Sequence, residues 1–382
     1  MRSVYLDHNA TTPVDPEVFD AMLPFLREEF GNPSSAHALG QRARAAVERA
    51  RGEVAFLIGA AADEIVFTSG GTEASNIAIR GAAKIERGRR TIVTSTIEHP
   101  ATEACCALLE SEGTKVTRIP PEKNGRLDSE RFARAIDDAT GLVTIIHAQN
   151  EIGTIQPAAE IAVITRKHGA LVHADAAQSL GKMPLDVRTL GADLLSIAGH
   201  KLYAPKGIGA LYVRRGVELP PLLVGAGQES GKRPGTENVA FIVALGAACR
   251  IAGEKVQREQ ERLRKLAVEL FAALKRGVPG IVLVGEAAER LPNTLNVLFP
   301  KVSGRRLLEQ CPGVLASTGS ACHADREDPS AILTALGIPA ATALGAVRLS
   351  LGRSTTREDI EIAAADLAAA WRGLTTKVAA SA

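Results

Sequence analysis

Short apolar runs alternate with amphipathic stretches through the first two-thirds of the chain. Strand-like runs lie at Glu64–Thr68, Thr91–Thr96, Lys115–Ile119, Leu142–His147, Ala170–His173, Asp193–Ile197 and Ala210–Val213. Most are rich in Val, Ile, Leu and Thr and are bounded by Gly, Pro or polar residues, as buried strands are. Between many of them the period changes to that of a helix, for example over Glu73–Lys84 and Ala158–His168. Strand-helix alternation predicts an α/β fold whose sheet is largely parallel and covered by helices on both faces.

The pattern changes after Gly253. Glu254–Lys275 is dense in charge and carries Leu263, Leu266, Leu270 and Leu274 on one stripe, which predicts a long helix connecting to a second domain. Smaller strand candidates follow at Ile281–Val284, Asn293–Phe299, Val314–Ser317 and Val347–Leu351. Arg357–Trp371 reads as a closing helix, and the tail from Thr375 is expected to be loose. The change of domain is expected near residue 255. The longest apolar run, Val239–Cys249, ends at Arg250 and falls short of the ~20 residues of a membrane span, so it reads as a buried helix.

Composition narrows the function. The 382 residues allow two or three domains, or one large α/β domain with an appendage. With 46% apolar and 23% charged residues the chain can bury a large core. Lys plus Arg is 45 and Asp plus Glu is 43, a balance that argues against nucleic-acid binding by bulk charge. Aromatic residues are 3%, too few for a surface that stacks sugars or bases. Five cysteines make no disulfide framework, suit a reducing compartment and leave at least one thiol to explain. Asp7, His8 and Asn9 stand where an export signal needs an apolar core, so a cytoplasmic protein away from membranes is expected.

Three segments carry candidate chemistry. Phe67-Thr68-Ser69-Gly70-Gly71-Thr72-Glu73 lies where a strand gives way to a helix. It fits an anion cradle, since glycines admit close approach and a helix N-terminus offers free N–H groups. It fits equally an ordinary turn capped by Thr72. Asp175, in His173-Ala-Asp-Ala-Ala-Gln178, ends a buried apolar strand. A carboxylate there needs a cation or protonated heterocycle opposite it, unless it merely caps the next turn. Lys201 follows a strand and a Gly-His pair; desolvated it would be a nucleophile or base, and otherwise it is a loop lysine in solvent. Phosphate cradle, carboxylate and lysine, in that order, are what pyridoxal phosphate requires.

With these segments in view the sequence resembles the NifS/IscS-like cysteine desulfurases, class V aminotransferase-type enzymes of PLP fold type I. The matching runs are Tyr5-Leu-Asp-His-Asn-Ala-Thr-Thr12, Phe30-Gly-Asn-Pro-Ser-Ser35, Phe67–Glu73, Glu98-His99, Asn150-Glu-Ile-Gly153, His173–Gln178 and Gly199-His-Lys201. Further runs are Arg233-Pro-Gly-Thr-Glu-Asn238, Ser317-Thr-Gly-Ser-Ala-Cys322 and Val347-Arg-Leu-Ser-Leu-Gly-Arg353. The resemblance implies a large domain over 16–255 with a mostly parallel seven-stranded sheet. It implies an arm over 1–15 and a smaller C-terminal α/β domain over 256–382. It also assigns roles. Lys201 would hold pyridoxal 5′-phosphate covalently, and His99 would stack on its ring and help move protons. Asp175 would pair with the ring nitrogen and Gln178 with the ring hydroxyl. Gly71, Thr72 and His200 would hold the phosphate, and Thr236 would reach the phosphate of a neighbouring subunit, hence a homodimer. Asn150 and Arg348 would clamp the substrate carboxylate, for which the fork of an Arg is suited. Cys322, in the small polar segment Gly319–Asp328, would be the thiolate nucleophile, its proton affinity lowered by His323 or by cofactor charge. Cys105, Cys106, Cys249 and Cys311 read as buried, inert thiols.

The implied reaction turns L-cysteine into L-alanine and passes sulfur through a Cys322 persulfide to an acceptor protein, such as an iron–sulfur scaffold or a thiolation factor. No metal is implied. Some features resemble selenocysteine lyases: Gly319-Ser-Ala-Cys-His-Ala-Asp325, Arg290-Leu-Pro-Asn-Thr294, Gly352-Arg-Ser-Thr-Thr-Arg357, and Ala198 where many desulfurases carry Ser. L-selenocysteine is therefore the alternative substrate. Gln149 stands where a second Asn is common and Ala204 where Gly is common. A nucleotide-binding oxidoreductase would share the sheet, but no GxGxxG follows the first strand. A subunit without catalysis would not be expected to keep Lys201, Asp175, His99 and Cys322 together.

Overall fold

The structure is a computed structural model that describes residues 3–85, 91–318 and 328–380. Cys322 and His323 lie outside the described residues. The strands are β1 (Val4–Tyr5), β2 (Ile65–Thr68), β3 (Thr91–Ser95), β4 (Lys115–Ile119), β5 (Thr140–Ile146), β6 (Leu171–Asp175), β7 (Leu194–Ala198) and β8 (Gly209–Val213). They continue with β9 (Val282–Leu283), β10 (Thr294–Leu298), β11 (Val314–Leu315) and β12 (Ala346–Ser350).

Seven strands form the large sheet in the order β2-β8-β7-β6-β5-β3-β4. Only β8 runs against its neighbours β2 and β7; the other pairings are parallel. The expected mostly parallel seven-stranded sheet is therefore present. Two reversals cancel, so β2 points the same way as β7. The chain leaves β2, β3, β5, β6 and β7 along one edge of the sheet, and that edge is where open α/β sheets bind ligands.

The two helices expected around Gly253 are one continuous helix, Val239–Gly277, of 39 residues. A lone Gly costs a helix only ~1 kcal/mol against Ala. Here the Arg250–Glu254 pair, 2.9 Å apart and one turn from each other, bridges the junction. The apolar half packs on the helix Ala38–Ile58 in the core of the large sheet. The Leu263, Leu266, Leu270, Leu274 stripe faces a second core. That core holds Val4 and Leu6 with Val297, Leu349, Ile360 and Leu367, under the antiparallel sheet β12-β10-β9. β1 pairs in parallel with β11, so the N-terminal segment is built into this second core.

The closing helix runs Arg357–Ala380, so the tail from Thr375 is helical where a loose end was expected. Thr375 and Thr376 donate their hydroxyls to the carbonyls of Trp371 and Arg372 at 3.0 and 2.9 Å, one turn back, which lets both sit inside a helix. None of the helices, over the described residues, is long and apolar enough to cross a membrane.

At Gly246 the long helix comes close to its neighbour: a Cβ there would lie 2.6 Å from Ala50 Cα and 2.7 Å from Ala50 Cβ. Backbone cannot yield as a side-chain tip can. Gly246→Ala is expected to destabilise the fold by about 1–3 kcal/mol, read as a lower midpoint in thermal or urea unfolding.

Candidate active site

The edge where β6 and β7 end gathers the expected residues. β6 delivers Asp175, whose Oδ1 accepts the Ala177 N–H at 2.9 Å. β7 ends at Ala198 and turns through Gly199–Lys201. β2 leads to the helix Gly71–Ile85, whose first residue packs so close to the end of β7 that a Cβ on Gly71 would lie 3.2 Å from Ala198 Cβ. The helix N-terminus is thereby held beside the Lys201 turn, with Thr72 exposed. After β3, His99 caps the helix Pro100–Ser111, its Nδ1 accepting the Ala101 N–H at 3.1 Å. That bond leaves the neutral ring's proton on Nε2.

The electrostatics are those of a desolvated cluster. Burial pushes the Lys201 amine down to about 8, aided by Arg348 and opposed by Asp7 and Asp175. Burial raises the Asp175 carboxyl, while His99 and Lys201 favour its ionised form. Burial lowers His99, with Asp175 pulling the other way. His200, whose Nδ1 lies 3.2 Å from Thr11 Oγ1, falls to about 4 through burial and the charge of Lys201. Arg348, on β12, donates from Nη2 to Asp7 Oδ1 at 2.7 Å and from Nη1 to the Asn150 carbonyl at 3.3 Å. Asn150 and Arg348 thus meet across the boundary between the two sheets. The Asn150 side chain accepts from Gln149 Nε2 at 3.3 Å.

Lys201, Asp175, His99, Gln178, His200, Gly71, Asn150 and Arg348 therefore share one region. Thr236 is placed differently: it is exposed, in a cleft lined also by Thr68, Ser69, Gly207 and Arg233. The four described cysteines are buried. Burial raises all four thiols, Cys106 to about 12 and Cys311 to about 11, which keeps them protonated and unreactive. Among the described residues no group of three His, Cys, Asp or Glu side chains is arranged to hold a metal ion.

Three residues of the site were given no role from the sequence. Asn9, 1% exposed, accepts at its main-chain oxygen from Lys201 Nζ and, at 3.0 Å, from Gln178 Nε2. Lys182 Nζ donates to Asn9 Oδ1 at 2.8 Å and to Gln178 Oε1 at 2.6 Å. Asp7 holds Arg348. Asp7 and Asn9 stand in the run Tyr5–Thr12, which signals family but not role. Lys182 had one signal: it follows Gln178 by four positions.

The chain matches the family Aminotransferase class-V over residues 4–362. It is 44% identical to cysteine desulfurase IscS of Dictyoglomus turgidum over 362 residues, covering 94% of this chain and 92% of that one. It is 44% identical to cysteine desulfurase NifS of Azotobacter vinelandii over 364 residues, covering 94% and 90%. A solved structure of a NifS-like protein superposes with a TM-score of 0.90 at 36% identity, over 98% of this chain and 100% of that one. The fold and the edge site define an α/β enzyme of the class V aminotransferase type. Within that class the chain belongs to the NifS/IscS-like cysteine desulfurase family.

Behind His99 lies a buried acid. Glu98 contacts Ser95 Oγ, and burial raises its carboxyl to about 8. In the unfolded chain it ionises near 4.5, so folding is opposed increasingly as pH climbs from there towards 8. Glu98→Gln is expected to raise the melting temperature at pH 8 by more than it does at pH 5, measured as paired thermal melts.

Proposed function

We infer that this protein is a pyridoxal-phosphate-dependent cysteine desulfurase that converts L-cysteine to L-alanine and takes the sulfur onto Cys322. The observation that carries the reading is the meeting of Lys201, Asp175 and His99 at the edge of the sheet, beside the helix N-terminus at Gly71. The donor set fits pyridoxal phosphate: an amine to join the aldehyde, a buried carboxylate to face the ring nitrogen, and a helix N-terminus for the phosphate. Bound there, the cofactor supplies an electron sink for the pair released at the substrate α-carbon.

The chain's own residues do the rest. Arg348 and Asn150 seat the α-carboxylate, Arg348 keeping its orientation through Asp7. Lys201, lowered to about 8, has a sizeable neutral fraction near neutral pH and can take the α-proton. Asp175 would hold the cofactor's ring nitrogen protonated, His99 would cover the ring, and Gly71, Thr72 and His200 would hold the phosphate. Thr236 serves the neighbouring subunit's phosphate in a homodimer. The Cys322 thiolate attacks the substrate sulfur, forming an S–S bond. The C–S bond breaks with its pair left on carbon, and protonation of that carbon gives the methyl group of alanine. The persulfide then passes to an acceptor protein in the cytoplasm, for iron–sulfur assembly or thiolation. Residues 1–15 act as an arm, 16–255 as the cofactor domain and 256–382 as the smaller domain that carries Cys322. The relatives named above are desulfurases, which leaves the selenocysteine lyase alternative without separate support.

Purified protein is expected to be yellow with bound cofactor and to lose that absorption in Lys201→Ala. Cys322→Ala is expected to keep the colour and lose alanine and persulfide formation from cysteine by a hundredfold or more. Full cysteine turnover in Cys322→Ala would refute the reading.

A further inference from the structure

Lys182 is 9% exposed, and its amine donates to two neutral oxygens, Asn9 Oδ1 and Gln178 Oε1. Among the described residues, the charged groups that act on it are the cations Lys201 and Arg348; the imidazole of His8 also faces it. Burial first, and these cations second, hold its amine well below the ordinary lysine value. A neutral amine has two N–H bonds, which matches the two acceptors. An amine this deep is costly to desolvate, and a methionine would fill the same space without that cost. What the lysine adds is the pair of donors.

Those donors settle which way a key amide faces. With Oε1 of Gln178 bound to Lys182, its Nε2 is turned to the Asn9 carbonyl, the same oxygen that receives Lys201 Nζ. A flipped amide would set its Oε1 against the Asn9 carbonyl, acceptor facing acceptor, and would give up the bond that Oε1 accepts from Lys182. Asn9 is fixed likewise: its Nδ2 gives to the Asn150 carbonyl at 3.1 Å and to Thr294 Oγ1 at 2.8 Å, so its Oδ1 must face Lys182.

We propose that Lys182 is a positioning residue that locks Gln178 with its amide N–H directed at the site, so that the cofactor's ring oxygen meets a donor and never an acceptor. This rests on the functional reading above, in which Gln178 faces that oxygen. An N–H given to the ring oxygen withdraws electron density from the conjugated system that Lys201 joins. The Lys201 nitrogen then holds its proton less tightly, which keeps it ready to exchange.

The test is the pH midpoint of the visible absorption of protein loaded with pyridoxal 5′-phosphate. Lys182→Met is expected to raise that midpoint by about one unit, a tenfold gain in proton affinity. Gln178→Ala is expected to raise it equally, and the double variant no further than either single one, because the two act as a unit. An unmoved midpoint in Lys182→Met, or shifts that add, overturns the proposal; a purely structural lysine would lower the melting temperature and leave the midpoint alone. Should Lys182→Met not fold, Lys182→Leu, which also removes the donors, carries the same measurement with the same upward shift expected, and an unmoved midpoint again overturns it. Wild-type protein that takes up cofactor without visible absorption would overturn the functional reading first.

Discussion

The main-chain oxygen of Asn9 accepts from Lys201 and Gln178 at once, and the arrangement of the site depends on it. Both donors come from the large sheet's edge. The residue that receives them is tied by its own N–H to Ser350 Oγ at 2.9 Å and by its amide to Thr294 Oγ1, both on the smaller sheet. Asn293 Nδ2 adds a bond to Asn9 Oδ1 at 3.2 Å. Every polar group of this one buried residue is used. Buried amides left unpaired are costly, so the network holds as a whole or fails as a whole. The two sheets are thus fixed relative to one another at the point where the chemistry is proposed.

Charge follows from the same constraint. Lys201, Lys182 and Arg348 converge where water is scarce, and burial first, with Arg348 beside them, pushes both lysine amines towards their neutral form. Such a site favours anionic ligands and disfavours its own cations. A phosphate and a carboxylate are anions of the required kind, and the loosened proton of Lys201 follows first from its burial and then from Arg348.

Much of this was legible in the sequence. The apolar runs marked the strands of the large sheet within a few residues, and Asp175 and Lys201 could be placed at strand ends because an apolar run stopped just before each. The roles of His99, Asn150 and Arg348 came from family resemblance, since a lone His before Pro or an Arg on a strand carries no such signal. The three residues without a role in the sequence, Asp7, Asn9 and Lys182, share one cause. They act through partners fixed by tertiary packing, with Asn9 reaching residues 285 and 341 positions away, whereas sequence periods report only what lies within a few turns. The continuous helix through Gly253 and the helical tail past Thr375 were misread for a different reason. Gly253 and the threonines near 375 are local breakers, and the ion pair and back-bonded hydroxyls that neutralise them exist only in the folded helix.

The pairing of β1 with β11, and of Asn9 with Ser350, has a bearing on how the chain is made. A ribosome adding ~5–20 residues per second takes on the order of tens of seconds to go from one member of the second pair to the other. Once β8 is complete at Val213, and until Ser350 is made, the large sheet has all its strands in hand while the segment that completes its edge has no partner to pair with. The apolar Val4 and Leu6 must wait beside a nearly finished sheet for a core not yet synthesised. Assembly of the site is therefore tied to the last stage of synthesis, and a chain halted before β12 would have its lysine in place with only part of the scaffold that holds Asn9 against it.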